Sequence, residues 1–150
     1  MQLSVITVGI FAMINSAFAA PTLNEREKEV SAMADVPQWT LQSFQRTCNK
    51  EDTFCTVTFH VNNKLEPRTP CMYSIKGASA SRAPVNGITC GPYTISSGWS
   101  GQFGEGNGFT TWSIVDWNKR LIVWPAYADH ELVNGQIVTP DKSFAPQTLA

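Results

Sequence analysis

The stretch FCTVTFHV, residues Phe54–Val61, decides the fold of this chain. Apolar and polar side chains alternate along it: one face carries Cys55, Val57, Phe59 and Val61, and the other carries Thr56, Thr58 and His60. Alternation with a period of two over such a length is typical of a β-strand that is buried on one side. The sequence therefore predicts a strand whose apolar face covers a hydrophobic core.

The residues before this stretch predict its partner strand. Trp39 and Leu41 alternate with polar neighbours, which again indicates a half-buried strand. The polar connector from Cys48 to Thr53 has the composition of a turn, so the two strands are expected to form a hairpin. That hairpin would bring Cys48 and Cys55 together at its mouth.

The four cysteines indicate disulfides. The even number of cysteines in a small chain favours disulfides, with three possible pairings, and the spacings are too loose for the close cysteine pairs of a zinc site. We expect no metal and predict the pairs Cys48–Cys55 and Cys71–Cys90. The second pair rests on the expectation that residues 71–75 and 86–90 lie side by side as antiparallel strands.

The remaining segments complete an all-β pattern. Residues 109–115 and 120–127 are apolar on both faces and flank a turn at 116–119, and residues 129–132 suggest one helical turn. Short strands with frequent Gly and Pro predict an antiparallel small β-barrel or sandwich. We expect about seven strands, one or two short helices and two disulfides.

The amino terminus indicates export. Residues 1–19 form an uncharged run ending in the small-residue pattern Ala17-Phe18-Ala19, which predicts a cleaved signal peptide. Residues 20–35 read as a charged arm, and residues 36–150 as a single β domain. No later stretch is long and apolar enough to span a membrane. The formal charge of −1 provides no long-range field for nucleic acid.

The glycine-rich segment 96–109, SSGWSGQFGEGNGF, is the first candidate for function. A phosphate-binding loop would need a following helix, whereas strand residues follow here. Most of these glycines fit turns and bulges, but the segment also presents Trp99, Phe103 and Glu105 as a recognition loop. Trp117, in the turn beside charged residues, joins them as a candidate contact, since tryptophan is enriched at interface hot spots. The other tryptophans are expected mostly in the core.

No catalytic constellation emerges from the sequence. His60 lies on a polar strand face and His130 on a short helical turn, and no nucleophile elbow is present. A ribonuclease-like arrangement would draw on these histidines with Glu105 and Arg82, but their spacing matches no such enzyme. We therefore predict no catalytic residues and no cofactor.

Three runs carry a family resemblance: TLQSFQRTCNKEDTFC (40–55), TISSGWSGQFGEGNGFTTWSIVD (94–116) and WPAYADHELVNGQIVTPDKSF (124–144), together with the Pro70-Cys71 strand. They resemble the hypersensitive-response-inducing small secreted proteins of filamentous fungi. The resemblance implies a β-rich, disulfide-bonded elicitor that is secreted into the host apoplast and triggers plant defence and local cell death. It implies no catalytic residues.

The leading hypothesis is thus a non-enzymatic elicitor that recognises a plant cell-surface receptor or wall component. A carbohydrate-binding module for cell-wall polysaccharide and, less favoured, a small ribonuclease-like hydrolase are the alternatives. The strands that are apolar on both faces also leave room for a homodimer.

Overall fold

A computed structural model of the chain describes residues 33–150. The predicted signal peptide (1–19) and residues 20–32 of the predicted arm lie outside the described residues. Within residues 33–150, no helix has the length and hydropathy that crossing a membrane requires.

Two antiparallel sheets make up the described part of the chain. Their strands are β1 (Trp39–Cys48), β2 (Phe54–Asn62), β3 (Thr69–Lys76), β4 (Val85–Cys90), β5 (Tyr93–Ser100), β6 (Phe109–Asp116), β7 (Leu121–Val123), β8 (Ala126–Ala128), β9 (Lys142–Phe144) and β10 (Gln147–Thr148). One sheet has the order β3-β2-β1-β9, and the other the order β10-β7-β6-β5-β4 with β8 also paired to β6. Short 3-10 helices span Ala80–Arg82 and Asp129–Glu131. The predicted all-β class with two disulfides is confirmed, and the layers fit a sandwich.

The alternation in Phe54–Val61 appears in the structure as predicted. β2 pairs with β1 on one side and with β3 on the other, in antiparallel register. Its apolar face is almost fully buried: Cys55, Val57, Phe59 and Val61 are each at most 2% exposed. The period of two therefore marks the core side of the four-stranded sheet.

A β-bulge in β1 adds one more aromatic side chain to this core. Leu41 and Phe44 are three residues apart, so a regular strand would place them on opposite faces. The register shifts between Gln42 and Gln45, and Ser43 adopts a positive φ of 53°. The bulge thereby buries both Leu41 (0% exposed) and Phe44 (1% exposed).

Aromatic side chains from both sheets meet at the centre of the sandwich. The Phe44 ring stacks on Phe59 and Tyr127 and meets Trp112 edge-on, with centroid distances of 5.2, 4.2 and 4.9 Å. The indole Nε1 of Trp112 donates a 2.7 Å hydrogen bond to the phenol oxygen of Tyr73 in the opposite sheet. This bond satisfies a buried donor and fixes how the two sheets face each other.

The strand predicted over 120–127 is interrupted. β7 and β8 pair with the two ends of β6 in one common register, and the gap between them falls at Trp124 and Pro125. Proline has no N–H to donate to the ladder, although its carbonyl still accepts a 2.7 Å bond from the Trp112 amide. Trp124 points away from the core and is 48% exposed, unlike most of the other tryptophans.

The expected antiparallel pairing of residues 71–75 with 86–90 is wrong. β3 pairs with β2, whereas β4 pairs with β5 in the other sheet. The connection between them, which includes the 3-10 helix Ala80–Arg82, carries the chain across from one layer to the next. The disulfide Cys71–Cys90 therefore joins the two sheets within the core.

The opposite side of the sandwich is joined by the chain itself. β9 pairs with β1 in the four-stranded sheet, and only two residues later β10 pairs with β7 in the six-stranded sheet. This change of sheet lies opposite the Cys71–Cys90 bridge, because β3 and β4 form the other edges. The two sheets are thus linked on both sides of the core, by a disulfide on one side and by the polypeptide backbone on the other.

Candidate functional site

The glycine-rich segment forms the connection between β5 and β6. Ser100 pairs with Phe109 as the last pair of the two strands, so residues 101–108 constitute the loop, which we call the glycine loop. Within β5, Trp99 lies two positions beyond Ser97, which pairs with the core residue Trp112. Because strand side chains alternate, Trp99 points to the core side of the sheet and closes that end of the sandwich.

The indole of Trp99 is held by charged groups. Its Nε1 donates a 2.8 Å hydrogen bond to Oδ2 of Asp129, which begins the 3-10 helix after β8. The guanidinium of Arg82 lies 4.3 Å from the centroid of the ring, within the range of a cation–π contact. Trp99 is consequently fixed in the fold and does not project freely into solvent.

Two glycines pack directly against this ring. A Cβ on Gly101 would lie 2.5 Å from Trp99 Cη2, and a Cβ on Gly108 would lie 2.7 Å from Trp99 Cζ2. Real side chains do not approach so closely, so the absence of a side chain at these positions lets the loop backbone lie on the indole. The loop is therefore built around Trp99.

The middle of the glycine loop folds into two consecutive turns. The amide of Gly104 donates to the carbonyl of Gly101, and the amide of Asn107 donates to that of Gly104, both at 3.1 Å. Gly104 and Gly106 take positive φ values of 95° and 82°, which glycine adopts without steric cost. A well-defined loop conformation follows, in contrast to a flexible tether.

This loop presents an aromatic side chain at the surface. Phe103 is 64% exposed, and its only ring contact within the described residues is a stack on Phe109 at 5.7 Å between centroids. The same loop contributes to a cleft of about 230 Å³, lined by Arg82, Trp99, Gly101, Gly104, Glu105, Gly106, Gly108 and Asp129. We call this region the loop cleft.

A largely covered arginine lies beside the Asp129 carboxylate that lines the loop cleft. Arg46, with a side chain only 11% exposed, lies 3.9 Å from Oδ1 of Asp129 and donates a 3.2 Å hydrogen bond to the carbonyl of Ser81. Burial lowers the pKa of Arg46, and the carboxylates of Asp129 and Asp52 oppose that shift. The charge of Asp129 is thus shared between Arg46 and the Trp99 indole.

The structure brings three of the four candidate recognition residues together. Trp99, Phe103 and Glu105 all belong to the glycine loop or its base, with Glu105 on the wall of the cleft. Trp117 is 55% exposed but follows the opposite end of β6. The eight residues of that strand place it about 26 Å from Phe109, at about 3.3 Å per residue. Trp117 therefore belongs to a different part of the surface.

Sequence reasoning did not assign Arg46, Arg82 or Asp129 to this region. Arg46 comes from β1, Arg82 from the 3-10 helix before β4, and Asp129 from the helix after β8. No local pattern links three positions so far apart in the chain. Only for Trp99 did the sequence contain such information: it lies four positions from Ile95, and this even spacing predicts that both side chains point to the core side of the sheet.

The residues considered for catalysis are not assembled. His60 lies on the outer face of β2 and lines a separate apolar groove with Pro70, Met72 and Ile137, whereas His130 is exposed in the 3-10 helix after β8. Within residues 33–150, neither histidine forms a hydrogen bond with a carboxylate. The one group of described residues close enough to bind a metal comprises Cys48, Asp52 and Cys55, and both of its sulfurs are in a disulfide.

Comparison with known proteins places this fold and loop in a family. A family sequence model described as "Effector TSP1" matches residues 40–149, which include all four cysteines and the whole glycine loop. A protein named "Effector TSP1" from Hypocrea virens (strain Gv29-8 / FGSC 10586) is 47% identical over 150 residues, covering 99% of this chain and 99% of the relative. The chain therefore belongs to the Effector TSP1 family of fungal effectors.

Proposed function

We propose that this protein is a secreted effector that acts in the host apoplast by surface recognition and without catalysis. It contacts a plant cell-surface receptor or wall component and so triggers defence and hypersensitive cell death. Family membership supports the effector role, and the two disulfides suit an oxidising extracellular compartment.

The observation that carries this proposal is Phe103, an exposed aromatic side chain on a loop of defined conformation. Aromatic anchors dominate binding energy where they enter a pocket of the partner, and the exposed ring of Phe103 is available for such a contact. The turns around Gly104 and the packing on Trp99 hold this loop before any partner arrives. Ordering costs on binding are therefore small, which favours affinity.

Glu105 and Trp117 have different places in this proposal. Glu105 lies two positions after Phe103 in the loop and lines the loop cleft, so it would set the polarity of the partner that fits there. Trp117 would contact a partner only through a second surface at the other end of β6. The two surfaces can be tested independently.

The test replaces Phe103 by alanine and measures binding of labelled protein to plant protoplasts together with cell death in infiltrated leaves. Loss of a hot-spot side chain costs about 2 kcal/mol or more, which corresponds to a loss of affinity of about 30-fold. Met72→Ala is the matched control, because Met72 is 73% exposed but lies on the outer face of β3. Trp117→Ala tests the second surface.

Each result decides a specific claim. Unchanged binding and cell death for Phe103→Ala, in a variant with an unaltered thermal unfolding midpoint, would refute the recognition role of the loop. The carbohydrate-binding alternative would be favoured if pure cell-wall polysaccharide retained the wild-type protein and Phe103→Ala but did not retain Trp117→Ala. Turnover of RNA that depends on His60 or His130 would refute the non-catalytic proposal.

A further inference from the structure

We propose that Asp52 is a positioning residue for the glycine loop, acting through the 3-10 helix Ala80–Arg82 and the ring of Trp99. This inference rests on the proposed function, because it concerns how the recognition loop is held. Asp52 itself forms no hydrogen bond with the glycine loop within residues 33–150. It lies in the turn between β1 and β2, which the Cys48–Cys55 disulfide closes.

Asp52 binds the start of the 3-10 helix through three hydrogen bonds. The amide of Ser81 donates to Oδ1 at 2.8 Å, and the hydroxyl of Ser81 donates to Oδ2 at 2.7 Å. The amide of Ala80 donates to the backbone carbonyl of Asp52, also at 2.8 Å. Both carboxylate oxygens are thus engaged by a segment 29 residues away in sequence.

The 3-10 helix needs this external support. Ser79 occupies its N-cap position, but adopts a left-handed conformation and makes no side-chain capping bond. A helix of three residues leaves most of its backbone groups without internal partners. By accepting from the amide of Ser81, the second residue of the helix, the carboxylate of Asp52 does what a capping side chain does, although it comes from another turn.

The orientation of this helix decides where Arg82 lies. Arg82 is its last residue, and its guanidinium covers the Trp99 ring at 4.3 Å. The same helix is also linked to the indole by a second route: Arg46 bonds the Ser81 carbonyl and pairs with Asp129, which accepts from Trp99 Nε1. Face and edge of the indole are therefore both tied to the segment that Asp52 holds.

Trp99 passes this positioning on to the glycine loop. Gly101 and Gly108 lie against the ring, so a shift of the indole must move the backbone at both ends of the loop. Phe103 lies between these two glycines. Release of the 3-10 helix would consequently loosen the presentation of Phe103 while leaving the paired strands in place.

The experiment compares Asp52→Asn with Glu51→Gln. Both changes remove one negative charge from the same turn, but in the described part of the chain Glu51 makes no side-chain hydrogen bond or ion pair. The two readouts are the indole N–H signal of Trp99 in ¹H–¹⁵N spectra and the amide hydrogen exchange of Gly104 and Asn107. Ser81→Ala, which deletes only the hydroxyl bond, provides a milder variant should Asp52→Asn fold poorly.

We expect Asp52→Asn to shift the Trp99 indole signal and to speed exchange of the two loop amides about tenfold, with Ser81→Ala intermediate. Glu51→Gln should behave as the wild type, and the amide of Ile114 in β6 should keep its protection in all variants. Equal loop exchange in Asp52→Asn and Glu51→Gln would overturn the proposal, and so would a uniform loss of protection that includes Ile114.

These readouts separate the two proposals. The positioning role is decided by exchange of the loop amides, which requires no partner. The recognition role is decided by protoplast binding of Phe103→Ala. Faster loop exchange in Asp52→Asn with normal binding by Phe103→Ala would support the positioning role and refute the recognition role.

Discussion

Replacing Gly108 by alanine should loosen the glycine loop through lack of space. The φ of Gly108 lies outside the left-handed region, so alanine can adopt its backbone conformation. The added Cβ would lie 2.5 Å from Oδ2 of Asp129 and 2.7 and 2.8 Å from Cζ2 and Nε1 of Trp99. These are the atoms of the indole–carboxylate hydrogen bond and its immediate neighbour, so the methyl group must push the two side chains apart or be pushed out with the loop.

The size of the effect follows from two alternative costs. Overpacking of a tight site costs about 1–3 kcal/mol, and a hydrogen bond to a charged group contributes about 1.5–3 kcal/mol. They are not summed, because movement of the ring relieves the clash by breaking the bond. The smaller conformational freedom of alanine in the unfolded chain returns about 0.4–1 kcal/mol. The net loss is about 1.5 kcal/mol, or about 6 °C in the unfolding midpoint for a domain of this size.

The assay is guanidinium chloride unfolding followed by tryptophan fluorescence, with Gly98→Ala as the control. Gly98 lies in β5 beside Trp99, has no left-handed φ, and a Cβ there would lie within 4 Å of no heavy atom outside its two chain neighbours. The control should therefore be as stable as the wild type or more stable by up to about 1 kcal/mol. If Gly108→Ala also stayed within that range, the packing of the loop on the indole would be refuted.

Two further predictions concern the hydrogen bond in the core and the stability of the protein at acid pH. Tyr73→Phe should lower the free energy of unfolding by about 1–3 kcal/mol, because the buried Nε1 of Trp112 loses its acceptor. Chemical denaturation should show a smaller loss for the same change in a Trp112→Phe background. Equal losses in the two backgrounds would contradict a role of this hydrogen bond. Burial acts to raise the pKa of Glu131, but the hydrogen bonds from Lys142 and the Ala128 amide outweigh it and hold the pKa below its ordinary value of 4.5. Its ionised form therefore contributes stability above pH 4.5 that is lost as pH falls through the lower, folded-state pKa. In Glu131→Gln, the free energy of unfolding should therefore decrease less between neutral and acid pH than in the wild type. An equal decrease in both proteins would contradict the stabilising role of the Glu131 carboxylate.

Local alternation was enough to predict the first hairpin. The faces of β2 follow from the period of two, and a one-residue slip would expose its whole apolar set, so the register is strongly constrained. Cys48 and Cys55 lie directly opposite each other in that register, and a disulfide joins them. The prediction succeeded here because every interaction on which it depends lies within one short segment.

The placement of β3 and β4 could not be derived in the same way. Alternation shows which face of a strand is buried, but not which sheet the strand joins. Cys71 and Cys90 both point into the core from different layers, so their proximity arises from the packing of two sheets. A hairpin and a cross-layer contact look alike in sequence when the connection between them is of ordinary loop length.

Trp99 shows a different limit. The sequence placed it in a loop with Phe103 and Glu105, and glycine-rich surroundings favoured exposure. Its spacing from Tyr93 and Ile95 points to the core side instead, and the structure follows that spacing. The partners of the ring come from elements that are distant in sequence, so only the direction of the side chain was predictable, not what holds it.

Four of the five glycines from Gly98 to Gly108 then separate by physical cause. Gly104 and Gly106 are required by the positive φ of the turns, whereas Gly101 is required by the volume of the Trp99 indole and Gly108 by the indole together with the Asp129 carboxylate. Sequence composition alone cannot tell these causes apart, yet they make opposite predictions for a smaller ring at position 99. Trp99→Phe would vacate the space against Gly101, so Gly101→Ala should become better tolerated, while Gly104→Ala should remain as unfavourable as before because backbone conformation does not depend on the ring.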